Sequence, residues 1–232
     1  MRPDPRLVAH RGITFPRGDR PAPVENTVEA LAAASDHGCA AVEFDVHATA
    51  DGAWVMHHDP TLTRIHGLDL AIAAETLASL REAAPIPTLV EGLAALRPGC
   101  RPMVEVKPES AAHFPALAAD LARFAALDPI VIVRGALPAE IAPLLPAVPL
   151  FLFEEDWERA WGRRGERFVG YDLNHEPVPD EAIALECARF AAAGRELAVW
   201  TIDDPGRALR WLEAGVPWVI TNRVDLLDAA LR

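Results

Sequence analysis

The 232 residues carry 51% hydrophobic and 24% charged side chains, enough apolar material for one sizeable core and too much for a disordered chain. A formal net charge of -12 excludes binding to nucleic acid or anionic lipid through diffuse positive charge, so any phosphate must be met by a few local cations. Cys39, Cys100 and Cys187 are odd in number and show no CxxC spacing, which argues against a disulfide framework or zinc cluster, and no run resembles a signal peptide or approaches the roughly 20 apolar residues of a membrane span, so a cytoplasmic protein without stable membrane insertion is expected.

Taken in order, LVAH (7–10) reads as a short strand running into His10, Arg11 and Gly12. VENTVEALAAASDHG (24–38) reads as a helix closed by glycine, with Glu25 and Asn26 either capping it or supporting a catalytic group. AAVEFDV (40–46) is a strand whose Glu43 and Asp45, two apart, share one face while Val42, Phe44 and Val46 share the other. After a turn at Asp51 and Gly52, DGAWVMHHD reads as an extended return that delivers His58 and Asp59, with His57 facing elsewhere. Residues 65–96 have room for one or two short helices, and this insertion, about residues 53–96 of a single 1–232 domain, is expected to shape the substrate pocket.

The remaining strands are PMVEV (102–106), PIVIV (129–133), PLFLF (149–153), RFVGYD (167–172), ELAVWT (196–201) and PWVIT (217–221). Helical patterns separate them over 110–127, 138–148, 154–164, 179–194 and 204–215. Eight short apolar strands alternating with helices predict an α/β fold, a (β/α)8 TIM barrel with a small insertion after the second strand. The open doubly wound alternative lacks its signature, since HRGITFPRG after the first strand contains no GxGxxG.

Polar residues at the carboxyl ends of barrel strands are where chemistry is expected, and here they are His10 and Arg11, Glu43 and Asp45, Glu105 and Lys107, with His58 and Asp59 arriving on the return. Three converging carboxylates repel one another unless a cation neutralises them, and an oxygen-only set favours Mg2+, Ca2+ or Mn2+ over zinc. Arg11 and Lys107 add positive charge suited to a phosphoryl group, although Lys107 can equally pair with a core carboxylate. His10 and His58 can divide proton removal and delivery, since an unperturbed imidazole titrates at about 6.5. Trp200 either packs the barrel or walls the pocket, and Phe153 and Trp157 flank the pocket or only the neighbouring helix. His47, His66, His113 and His175 read as structural or solvent-facing.

HRG (10–12), ENT (25–27), EFDV (43–46), TADG (49–52), HDPTLTR (58–64), IPTL (86–89), EVK (105–107), VWT (199–201) and ITNR (220–223), in this order, resemble the glycerophosphodiester phosphodiesterase family. The resemblance implies a (β/α)8 barrel that hydrolyses a small-molecule glycerophosphodiester to glycerol 3-phosphate and an alcohol. It assigns Glu43, Asp45 and Glu105 to the divalent cation, His10 and His58 to acid/base chemistry, and Arg11 and Lys107 to phosphate. Glu25, Asn26, Asp59 and Trp200 are read from the residues themselves as candidates to support or wall the site. The nucleophile the resemblance implies is the substrate's neighbouring hydroxyl or a water activated at the metal. Ile65, His66 and Gly67 depart from the family's usual threonine and glycine-containing turn, and ITNRVD stands where ITD followed by proline is usual, departures that bear on substrate preference. A lyso-phospholipid phosphodiesterase and a non-catalytic phosphate-binding barrel are the competing readings.

Overall fold

A computed structural model describes residues 2–107, 111–135, 141–163 and 165–232. Its strands are β1 (Leu7–His10), β2 (Ala41–Ala48), β3 (Trp54–Met56), β4 (Arg101–Val106), β5 (Ile130–Arg134), β6 (Leu150–Glu154), β7 (Gly170–Asn174), β8 (Glu196–Trp200) and β9 (Trp218–Thr221). All except β3 are parallel to their neighbours, and β1 pairs with both β2 and β9, so the sheet closes into the eight-stranded (β/α)8 barrel that the alternating pattern predicted.

Period-two alternation divides each strand between two cores. Inward-facing Val8, Ala41, Met103, Ile130, Ile132, Phe151, Ala198 and Ile220 fill the barrel, while outward-facing Val42, Phe44, Val104, Val131 and Val133 join the larger layer beneath the helices. Gly170 makes the inner packing possible: a Cβ there would lie 2.5 Å from the Phe151 ring that fills the barrel beside it.

The outer helices are α1 (Val28–His37), α2 (Thr63–His66), α3 (Leu77–Ala83), α4 (Leu89–Ala94), α5 (Phe114–Arg123), α6 (Trp157–Gly162), α7 (Ile183–Ala192), α8 (Pro205–Glu213) and α9 (Val224–Ala230). Thr27, Asp156 and Asp204 cap α1, α6 and α8 with their side chains, and Thr88 forms a capping box with Glu91 at α4. Among the described residues no helix is long and apolar enough to cross a membrane.

Four elements differ from the sequence reading. The strand expected over 167–172 begins at Gly170, because Phe168 folds into a turn on Glu166 (N–H to carbonyl, 2.9 Å) and buries its ring in the outer layer. The return after β2 is a true strand: β1 covers β2 only as far as Glu43, and β3 pairs antiparallel with Val46–Ala48 beyond it. The segment after β3 holds α2, a 3-10 turn at Ile72–Ala74, α3 and α4, more than the one or two helices expected; Val55, Leu62, Ile72, Leu80 and Ile86 form a small core of their own, while Leu89 and Leu93 of α4 join the larger outer layer. The C-terminal α9 lacks a side-chain N-cap and left no start signal in the sequence. The helix expected over 138–148 lies partly outside the described residues.

Candidate active site

The polar side chains that interrupt the inner apolar pattern gather at the carboxyl mouth. On β2 the two-residue repeat sets Glu43 beside Asp45, and the β2–β4 register sets Asp45 opposite Glu105. One carboxylate oxygen from each lies within 4.8 Å of the others, and all three residues are buried.

The loop after β1 presses the site together. Arg11 takes a left-handed φ of 56° and Gly12 a φ of 84°, and a Cβ on Gly12 would sit 2.6 Å from the Ala30 backbone, so only glycine lets this turn close on α1. Arg11 donates its N–H to Glu43 Oε2 (3.2 Å) and a guanidinium N–H to Glu25 (3.0 Å), and its Nε stands 3.3 Å from Asp45. Asn26, also left-handed, donates Nδ2–H to Asp45 Oδ2 (2.9 Å) and accepts the Asp45 N–H (3.0 Å). Thr27 caps α1, which leaves Asn26 as a clamp on Asp45.

Lys107 points into the acid cluster, with Nζ 2.5 Å from Asp45 and 2.8 Å from Glu105. Arg134, at the end of β5, donates Nε–H to the same Glu105 oxygen at 2.8 Å. Burial opposes ionisation of Asp45, yet Lys107 and Arg11 hold it down to about 2. Glu43 fares differently: burial first, then the Asp45 and Glu105 charges, push its carboxyl well above the usual range. Its Oε1 is buried without a hydrogen-bond partner among the described residues. An uncompensated acid beside two more, all offering oxygen, fits a hard divalent cation, and this buried group could hold one.

His10 and His58 flank the cluster in a cavity of about 250 Å³. Asn222 donates Nδ2–H to Asp203 Oδ2 (2.9 Å), which turns its carbonyl oxygen toward His10 Nδ1 (2.8 Å). That oxygen can only accept, so the His10 proton sits on Nδ1 and Nε2 presents a lone pair, 3.8 Å from Glu43 Oε2. Burial, then Arg11, lowers the His10 pKa and keeps the ring neutral. His58 Nδ1 lies 2.7 Å from Asp59, which Arg64 holds at 2.5 Å while also binding Glu25 at 2.6 Å. His57 instead donates Nε2–H to the Thr61 carbonyl (3.1 Å) and stacks on His66, away from the cavity.

Phe153 and Trp200 stack at 5.0 Å and line the cavity, whereas Trp157 packs on Trp211 and Phe190 in the outer layer. From the segment after β3 only His58 is among the lining residues, so the barrel itself, rather than the insertion, shapes the pocket. Leu80 of α3 packs in the small local core, Leu89 and Leu93 of α4 join the larger layer beneath the helices, and the segment reaches the site through Arg64 and Asp59. His175 is not among the residues lining this cavity, and its Nε2 meets the Thr201 carbonyl at 3.2 Å.

The sequence reading missed Arg134, Asp172, Asn222 and Asp203. Asp172 lines the cavity and is buried, carrying the signal that marked Glu43, an acid inside an apolar strand; Arg134 closes the apolar run of β5. Asn222 and Asp203 had no signal, since their value lies in one meeting the other and His10.

Residues 10–132 match the glycerophosphoryl diester phosphodiesterase family. A Mycobacterium tuberculosis protein described as a probable glycerophosphodiester phosphodiesterase 2 is 30% identical across 97% of this chain and 89% of its own. A glycerophosphodiester phosphodiesterase from Thermotoga maritima superimposes with a TM-score of 0.77 at 22% identity, covering 98% of both chains. A phosphodiesterase from Oleispira antarctica, solved with the product sn-glycerol-3-phosphate, also has a TM-score of 0.77, at 24% identity over 98% of this chain and 96% of its own. At these identities the two structures show the shared barrel.

Proposed function

The chain belongs to the glycerophosphoryl diester phosphodiesterase family and is a phosphoric diester hydrolase, and we propose that it cleaves small glycerophosphodiesters to glycerol 3-phosphate and an alcohol through His10 and His58 beside a cation held by Glu43, Asp45 and Glu105. The observation that carries this reading is the convergence of three buried carboxylates, two of which, Glu43 and Glu105, line the same cavity as the tethered imidazoles of His10 and His58. The product bound to the Oleispira antarctica relative supports the same product class.

When bound, the divalent cation supplies Lewis acidity toward a phosphoryl oxygen. Arg11 and Lys107 add fixed positive charge where the phosphoryl group gathers negative charge. Neutral His10, tethered through Nδ1, accepts a proton at Nε2 from the nucleophile, which is a neighbouring substrate hydroxyl or a water. His58, oriented by Asp59 through Nδ1, delivers a proton from Nε2 to the departing alcohol. The cavity of about 250 Å³ suits a small diester better than an acylated lipid.

The test is a screen of the purified protein with Mg2+, Ca2+ or Mn2+ against glycerol, choline and ethanolamine glycerophosphodiesters, reading glycerol 3-phosphate. Release from at least one is expected. Folded protein that releases none with any metal overturns the reading.

A further inference from the structure

Asp172 is a buried acid that the chemistry above does not use. It faces inward from the middle of β7, is 2% exposed, and lines the cavity that holds His10 and His58. Its Oδ1 has no hydrogen-bond partner among the described residues. A buried acid with an unfilled oxygen costs stability unless a ligand completes it. It lies outside the three-acid group whose oxygens converge within 4.8 Å, so the cation does not account for it.

Its surroundings say what could complete it. The strands on either side, β6 and β8, carry Phe153 and Trp200, whose rings stack at 21° and wall the same cavity. Arg134 lies 3.4 Å over the Phe153 ring, occupying the face that would otherwise attract a ligand ammonium and adding positive charge there. An aromatic wall beside an unfilled acceptor suits a neutral chain that offers C–H to the rings and O–H to the Asp172 oxygen. We propose that Asp172 is a specificity residue that binds a hydroxyl of a polyol phosphate, against the Phe153–Trp200 wall. This rests on the phosphodiesterase reading of the same cavity and names what the cavity reads beyond the phosphate.

Binding of glycerol 3-phosphate and of n-propyl phosphate, which keeps the phosphate and three carbons but lacks hydroxyls, tests it by calorimetry with Mg2+ present. The wild-type protein is expected to prefer glycerol 3-phosphate by roughly tenfold or more, because a site built to bond a hydroxyl discriminates against its loss. D172L should reduce the preference to below about threefold, and D172N, which can still bond a hydroxyl, should keep part of it. Removing a buried acid whose Oδ1 lacks a partner among the described residues relieves a folding cost, so both variants should melt no lower than wild type. Absence of a wild-type preference, its retention in D172L, a tenfold loss of Mg2+ affinity in D172L, or a lower melting temperature in both variants overturns the proposal. A wild-type protein that discriminates the two phosphates but cleaves no glycerophosphodiester defeats the functional reading alone. Cleavage without discrimination defeats this inference alone.

Discussion

At the scale of single residues, the two histidines are held alike, each tethered through Nδ1, but by different partners: a neutral amide for His10 and a carboxylate for His58. The division of labour has a kinetic signature. His58→Ala should lose about 10²-fold or more on a diester with a poor alcohol leaving group and far less on a 4-nitrophenyl diester, whose leaving group needs no proton. His10→Ala should lose comparably on both, and a leaving-group effect confined to His10 would reverse the assignment. Asn26 offers a second measurement. Asn26→Gly suits the left-handed backbone but removes the clamp on Asp45, so divalent-cation affinity by calorimetry should fall roughly tenfold while the melting curve stays cooperative. The motif residues were legible because their types declare their chemistry. Asn222 was not, because its role depends on Asp203, 19 positions earlier, and on His10, 212 positions earlier in the chain.

At the scale of elements, β6 and β7 fit through one absent side chain. Gly170→Ala would place a Cβ 2.5 Å from Phe151, an overpacking that should cost about 1–3 kcal/mol by urea unfolding. Combining it with Phe151→Leu should recover part of that loss. Helix α2 docks differently, through charge: Arg64 joins Asp59 to Glu25. Burial works against ionisation of Asp59, but Arg64 and His58 hold its pKa at about 2, below the ordinary unfolded value of about 3.9. The folded protein therefore binds this proton less tightly than the unfolded chain, so the contribution is complete above about pH 4 and is lost as pH falls toward 2. Wild-type protein should lose more melting temperature between pH 6 and pH 3 than Arg64→Ala, by a modest margin because the pair is partly exposed. HDPTLTR announced this segment, yet its own small core of Leu62, Ile72 and Leu80 could not be read from a stretch without sustained periodicity.

For the whole molecule, the barrel gathers three buried acids at its mouth, and the proposed cation would relieve their repulsion. Chelation should abolish turnover and lower the melting temperature, and excess Mg2+, Ca2+ or Mn2+ should restore both, since a ligand bound only by the folded state stabilises it. Glu43→Gln separates the ionisable group from the ligand: without metal it should melt above wild type, because burial and then the Asp45 and Glu105 charges no longer penalise an acid there, and it should gain little on adding metal. An unchanged metal-induced shift in that variant would remove Glu43 from the cation site. What the sequence by itself determined is the alternation of eight strands with helices, and with it the barrel and the acids, bases and cations at its strand ends, because local periodicity and residue chemistry survive in one dimension. Only the tertiary structure decided that Arg134 leans on Glu105, that Phe153 and Trp200 stack, and that Asp172 brings beside them an Oδ1 with no hydrogen-bond partner among the described residues. Those relations arise from barrel closure and inter-strand register, which bring distant positions together and leave no pattern in the chain between them.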